Sequence, residues 1–204
     1  MTANPKGVRI PKFVVLGFVG LLAWGVTPAS IAAAQDVATP TARLPVLVTS
    51  IGQSLDAFQV EAQLKRAKVP SEYDAHAEAG GLAGMKTLLL AVGASLKGFG
   101  DAGISIEDEL KRTKEILDAA VDAKLFIVVL HMGGADRRDA LSNQLIEIAA
   151  PRANFIVIRT EGSDDDGMFT KIAESNHIPM AKVRNILKLK KMFQDMFAEA
   201  MAGG

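Results

Sequence analysis

Along this chain, short unbroken apolar runs alternate with longer stretches in which apolar residues recur every three or four positions. The runs are Pro45 to Thr49 (PVLVT), Thr87 to Val92 (TLLLAV), Leu125 to Leu130 (LFIVVL) and Phe155 to Ile158 (FIVI). Short, continuous and partly β-branched, they predict strands buried on both faces, as in a parallel sheet covered by helices. A weaker strand is expected around Glu72 to Asp74. Between the runs, Leu55 to Ala67 and Leu141 to Ala150 have helical periodicity. Ser105, with Asp108 three residues later, makes a capping-box-like helix start, and Ile106, Leu110, Leu117, Ala120 and Val121 then recur on one face. Ile186, Leu189, Phe193 and Phe197 form a stripe on a terminal helix that Pro179 is placed to open.

Strand and helix alternating at this spacing imply right-handed crossovers and a doubly wound sheet. The expected fold class is α/β: a three-layer α/β/α domain of flavodoxin-like kind, with a mostly parallel sheet of about five strands. By analogy with that architecture the strand order is 2-1-3-4-5. Residues 44–204 hold this single domain, and residues 35–43 (QDVATPTAR), polar and small, read as a short linker.

Composition narrows the class. Apolar residues make up 49% of 204, enough to bury a core and too many for wholesale disorder. With 23 basic and 23 acidic residues the formal charge is zero, so no net-charge case exists for a nucleic-acid partner. The absence of cysteine excludes disulfides, thiolate metal sites and a cysteine nucleophile. At the N-terminus Lys6, Arg9 and Lys12 form a basic head, Phe13 to Val26 is uncharged and apolar, and small residues gather up to Ala32-Ala33-Ala34. That order is the secretory signal pattern, with cleavage expected before Gln35. Residues 1–34 are therefore expected to be a signal peptide, and the protein periplasmic or secreted. The alternative is an uncleaved anchor, because Phe13 to Gln35 carries no charge. The apolar core is shorter than the roughly 20 residues of a spanning helix, so no stable membrane span is expected after cleavage.

Ligands of open parallel sheets bind beyond the carboxyl ends of the strands, which selects four loops. Thr49 to Ser54 follows the first strand: Gly52 permits a tight turn, Ser54 can cap the helix, and free amides at its start attract an anion. TSIGQS is similar to the phosphate loop of flavodoxins, although the chain offers few large aromatics to hold a flavin. Gly52-Gln53-Ser54-Leu55 resembles the Gly-Asp-Ser-Leu block of GDSL-type hydrolases. Their Asp-x-x-His ending has a counterpart in Glu174-Ser175-Asn176-His177, which would make Ser54 the nucleophile and His177 the base. Gln53 departs from that pattern, and no Gly-x-Asn segment supplies an oxyanion hole.

The second loop, Gly93 to Gly103, contains G-x-G-x-x-G at Gly98, Gly100 and Gly103. Five residues separate it from its strand, and no acidic residue ends the next one, so it lacks the dinucleotide fingerprint. It reads as a backbone-exposing loop that carries Ser95 and Lys97 to the crest. The third is His131-Met132-Gly133-Gly134 with Arg137 and Arg138 beyond; a histidine leaving a buried strand suits a ligand contact or structural hydrogen bond. One member of the arginine pair can reach a carboxylate bidentately. The fourth, Arg159 to Gly167, holds Asp164, Asp165 and Asp166 without calcium-loop spacing. His76 and His177 lack metal-like partners, so neither metal nor cofactor is expected. The basic stretch from Lys182 to Lys191 reads as the solvated back of a helix.

Taken together, PVLVTSIGQSLDA, KTLLLAVGASLKGFGDAGISIEDEL, VVLHMGGADRRDALS and FTKIAESNHIP resemble an uncharacterised family of exported bacterial proteins. The resemblance implies export and a Rossmann-like α/β domain, and no catalytic residue. Three functions stand open. The first is an exported, non-enzymatic module for a small anionic metabolite, with Ser50, Gln53, Ser54, Ser95, Lys97, His131, Arg138 and Arg159 at the crest. The second is a serine hydrolase using Ser54 and His177. The third is a partner of an envelope protein, docking through the C-terminal helix.

Overall fold

The apolar runs become strands of one parallel sheet. In the computed structural model of the protein, residues 38–203 are described; the predicted signal peptide lies outside them. The strands are β1 (Val46–Ile51), β2 (Glu72–Tyr73), β3 (Thr87–Val92), β4 (Phe126–His131), β5 (Phe155–Arg159) and β6 (Met180–Val183). Their order is β2-β1-β3-β4-β5-β6 and every pairing is parallel. The expected order therefore holds, and the sheet gains a sixth strand. Pro179 does not open a helix. Its carbonyl accepts from the Ile156 amide at 3.1 Å and leads straight into β6. Residues 180–183 combine three apolar side chains with Lys182 and lack a long continuous apolar run, because an edge strand is covered less completely than a central one.

The helices are α1 (Asp56–Ala67), α2 (Leu96–Ala102), α3 (Ile106–Asp122), α4 (Ala140–Ala149), α5 (Met168–Asn176), α6 (Leu189–Met196) and the short α7 (Ala198–Ala202). Their starts follow the cap chemistry. Ser105 accepts from the Asp108 amide at 3.0 Å, Asp139 from Ser142 at 2.8 Å and Ser95 from Gly98 at 3.2 Å. The Gly93–Gly103 segment is thus not an exposed loop. Gly98 and Gly100 lie inside α2, and Gly103, at φ 65°, ends it in the left-handed conformation.

The two faces are covered unequally. One packs against Phe99 of α2, Ile116, Leu117 and Ala120 of α3, Leu145 and Ile146 of α4, and Phe169 of α5. The other has, among the described residues, α1, through Val60 and Leu64, and the C-terminal segment, through Leu189, Phe193, Met196 and Phe197. The buried stripe of α3 also differs from the expected one. Glu109, Thr113, Ile116, Leu117 and Ala120 are buried, while Ile106 and Val121 remain 38% and 49% exposed. An apolar-only reading of the helix could not find a stripe that begins with a glutamate. The end of the predicted linker is tied down: Ala42 donates to the Met196 carbonyl at 2.8 Å, and the Thr87 hydroxyl donates to the Arg43 carbonyl at 2.7 Å.

Because α6 is half of one face's cover, truncating its core residue should be costly. Phe193→Ala is expected to lower the unfolding free energy by about 3–5 kcal/mol in urea titration. Phe58→Ala, at a side chain 55% exposed, should change it by less than about 0.5 kcal/mol.

Candidate functional site

From β1 the chain turns to β2 on one side, and from β3 onward it proceeds to the other. The topological switch point, where this architecture opens a crevice, therefore lies between the carboxyl ends of β1 and β3. Here the chain closes that crevice with its own backbone. The Gly93 amide donates to the Ile51 carbonyl at 2.9 Å and Ser95 to Gly52 at 2.8 Å, with a bridge pairing Gln53 and Ala94. Gly52 is at φ 99°, and a Cβ there would lie 2.6 Å from the Gly93 carbonyl oxygen. Helix α2 rides on the same turn: a Cβ at Gly98 would lie 2.0 Å from the Gln53 oxygen. The G-x-G-x-x-G pattern is accordingly a packing and capping device.

A buried ion pair bolts this turn to α3. Glu109 is fully buried, and its carboxylate accepts from the Gly52 amide at 2.7 Å and from Gln53 Nε2 at 3.0 Å. Arg112 donates to both its oxygens, at 2.9 and 2.7 Å, and reaches onward to the carbonyls of Ala77 and Ser50. Burial alone would raise the Glu109 pKa. The Arg112 guanidinium and the Gly52 and Gln53 donors outweigh it and hold the carboxyl below its ordinary value. Gln53, strained at φ 59°, is held by this bond. Ser50 is buried and donates to the Ser54 carbonyl, while Ser54, also buried, accepts from the Asp56 amide at 3.3 Å.

His131 is wholly buried at the end of β4. Its Nε2 lies 2.9 Å from the Arg137 carbonyl, which can only accept, so Nε2 carries the proton. Nδ1 then accepts from the Ser163 hydroxyl at 2.8 Å. Burial first, and then the charges of Arg138, Arg159 and Arg137, pull the imidazole pKa down to about 4, against the hydrogen bond to Arg137. Arg138 is equally engaged: it donates to Asn143 at 2.8 Å, to the Ser163 carbonyl and to Asp166 at 2.7 Å, and packs over the Phe169 ring. The acidic run is divided up. Asp166 holds Arg138, Asp164 accepts from the Thr170 amide and from Lys182 at 3.0 Å, and Asp165 accepts from the Gly162 amide at 3.3 Å. Ser95 caps α2, and Lys97 pairs with Asp101 on its exposed face.

Arg137 and Arg159, both half-buried at the crest, have no ion-pair partner among the described residues, although Arg159 Nε donates to the Glu161 carbonyl at 3.2 Å. They lie on consecutive glycines. A Cβ at Gly133 would be 2.1 Å from Arg137 Cγ, and one at Gly134 would be 2.6 Å from Arg159 Cζ. The Arg137 stem also covers Gly93, whose Cβ would meet it at 3.1 Å. Asp56 Oδ2, 3.2 Å from the same Gly133 position, is buried without a hydrogen-bond partner. Burial raises the Asp56 pKa, and Arg137, the Ser54 bond and Arg159 oppose the rise. Arg159 was legible as a strand-end cation. Arg137 and Asp56 were not: choosing between Arg137 and Arg138 needs the position of Asp166, and Asp56 looks like an ordinary first-turn acid.

The Ser54–His177 pair is not assembled. Ser54 follows the carboxyl end of β1, whereas His177 closes α5 just before the amino end of β6, whose Met180 pairs with Ile156. In a parallel sheet these are opposite edges, a strand length apart, so the proposed base cannot reach that serine. Four of the hollows between described residues, of 260 to 510 Å³, have no predicted site residue in their walls. Among the described residues no group of three metal-ligating side chains converges, and no helix is long and apolar enough to cross a membrane.

These features define an α/β domain with one parallel sheet, a sealed switch point and a cationic pair at its crest. The chain belongs to a family described as a domain of unknown function (DUF6305), whose model matches residues 43–197. The match runs from the Arg43 tie to Phe197, the last fully buried side chain among the described residues. No curated protein matches. Among solved structures, the chain is similar to the psychrotrophic esterase EstA from Pseudoalteromonas sp., inhibited by monoethylphosphonate. The identity is 8%, the TM-score 0.30, and the likeness covers 78% of this chain and 96% of that one. A likeness of that size carries no argument about activity.

Two outcomes test the buried polar groups. Glu109→Ala leaves Arg112 buried without its partner and should destabilise the protein by about 3–5 kcal/mol in urea titration. For His131 the folded pKa lies below the ordinary one, so its contribution is complete above pH 6.5 and disappears as the pH falls towards 4. Unfolding free energies measured across that interval should fall by about 3 kcal/mol more in the wild type than in His131→Gln.

Proposed function

We propose that this domain is an exported, non-enzymatic module that binds a small anion at the strand-end crest through Arg137 and Arg159. The observation that carries the reading is the seating of two half-buried guanidinium groups, without an ion-pair partner among the described residues, on the consecutive glycines 133 and 134. The arginine fork matches carboxylate and phosphate oxygens, and two forks side by side present more donors than Asp56 alone can use. Ser50, Gln53, Ser54 and His131 support this arrangement from beneath by fixing the turns that carry it. The basic, apolar and small order of residues 1–34 supports delivery to the periplasm or beyond.

At low ionic strength, acetate or phosphate at one hundred times its Kd should stabilise the protein by about 2.7 kcal/mol in thermal unfolding. Arg137→Gln and Arg159→Gln should each abolish most of that gain, while Lys97→Gln leaves it intact. Asp56→Asn should preserve or strengthen it, because the competing carboxylate is gone. If no anion stabilises the wild type, or the arginine variants respond as it does, the reading fails.

A further inference from the structure

Asp56 brings to the arginine pair a carboxylate oxygen that nothing satisfies. Its Oδ2 is buried and accepts no hydrogen bond. It lies 3.2 Å from the same Gly133 position that Arg137 Cγ approaches to 2.1 Å, so the carboxylate and the Arg137 stem share one glycine. The charged groups that act on it are Arg137, in the loop after β4, and Arg159, at the end of β5; Ser54, in the turn after β1, is its hydrogen-bonding neighbour. Both arginines act through space, without closing an ion pair on it among the described residues. A buried carboxylate is ordinarily paired or fully hydrogen-bonded. Asp56 is neither. Burial disfavours its charged form, and the attraction of Arg137 and Arg159 offsets only part of that cost.

An anion seated on Arg137 and Arg159 changes this balance. It neutralises the two charges that favour the ionised carboxylate and adds a like charge in the same neighbourhood. Both effects act in one direction, towards the protonated acid. Resting on the anion-binding reading above, we propose that the crest is a proton-linked anion site, in which Asp56 takes up a proton as the anion binds and weakens binding while it is ionised. The two halves of this statement are one by linkage: the factor by which a bound anion raises the proton affinity of Asp56 is the factor by which protonation raises the affinity for the anion. The domain therefore holds its anion more tightly in acidic medium and releases it as the pH rises. Because burial moves the Asp56 pKa upward, the effect falls above the ordinary carboxylate range of about pH 4. His131, whose Nε2 donates to the Arg137 carbonyl, is pulled down to about 4 and stays neutral there, so its charge does not enter.

Calorimetric titration of the full chain with sodium sulfate, an anion of constant charge from about pH 7.5 to about pH 5, tests this at low and matched ionic strength. Each titration is run in two buffers of different ionisation enthalpy, so that the difference in heat counts the protons taken up. The expected result is net uptake of up to about one proton per sulfate, with a Kd that falls by up to about ten-fold per pH unit on acidification. Asp56→Asn should bind sulfate at every pH as tightly as the wild type does at the acidic end, without that uptake. His131→Gln should keep the wild-type pH dependence. Sulfate binding without proton uptake in the wild type overturns the inference while the anion site stands, and this comparison needs no variant. A pH dependence that persists in Asp56→Asn overturns it in the same way. Absence of sulfate binding at every pH overturns both the linkage and the anion site.

Discussion

The Glu109–Arg112 pair is the interaction on which the crest of this domain depends. Its four partners, the Gly52 amide, the Gln53 amide group and the carbonyls of Ser50 and Ala77, belong to the end of β1, the turn after it and the loop after β2. A buried pair of this kind is weak evidence for net stability, because both charges lose their water. What it supplies is position. It holds Gln53 in a left-handed conformation, lets Gly93 and Ser95 close on the β1 turn, and so seals the place where a doubly wound sheet ordinarily opens.

Sealing the switch point moves the available chemistry one strand along. At β4 and β5 the loops meet over Gly133 and Gly134, and the two long side chains that lie there replace the missing Cβ atoms. His131 and Arg138 are adjacent to these cations but face inward, each with its hydrogen-bonding groups engaged by Ser163 and its neighbours. The same loops thus hold two kinds of polar residue: an inner set that fixes the backbone, and an outer pair whose charge faces one carboxylate. The C-terminal helix contributes from a distance. Leu189, Phe193 and Phe197 pack on the same face as Val128 and Leu130 of β4 and Phe155 and Val157 of β5, a face that α1 shares among the described residues.

The sequence determined the parallel sheet, its strand order, the extents of α1 and α4 and the capped start of α3 at Ser105, because continuous apolar runs and cap residues act locally and leave a local pattern. It also made Arg159 visible as a strand-end cation and pointed to a carboxylate partner for one of the arginine pair, which Arg138 finds in Asp166 through one nitrogen and one oxygen, not bidentately. Tertiary structure decided the rest. Strand β6 lacks a long apolar run and exists by pairing with β5. Glu109 is an ordinary helix acid until Gly52 and Gln53 come to it from more than fifty residues away. Ser54 and His177, close to a hydrolase pattern on paper, are parted by the length of a strand because parallel topology fixes which loops share an edge. Which of two neighbouring arginines faces inward depends on where distant oxygens lie, and that is a property of packing that no spacing along the chain encodes.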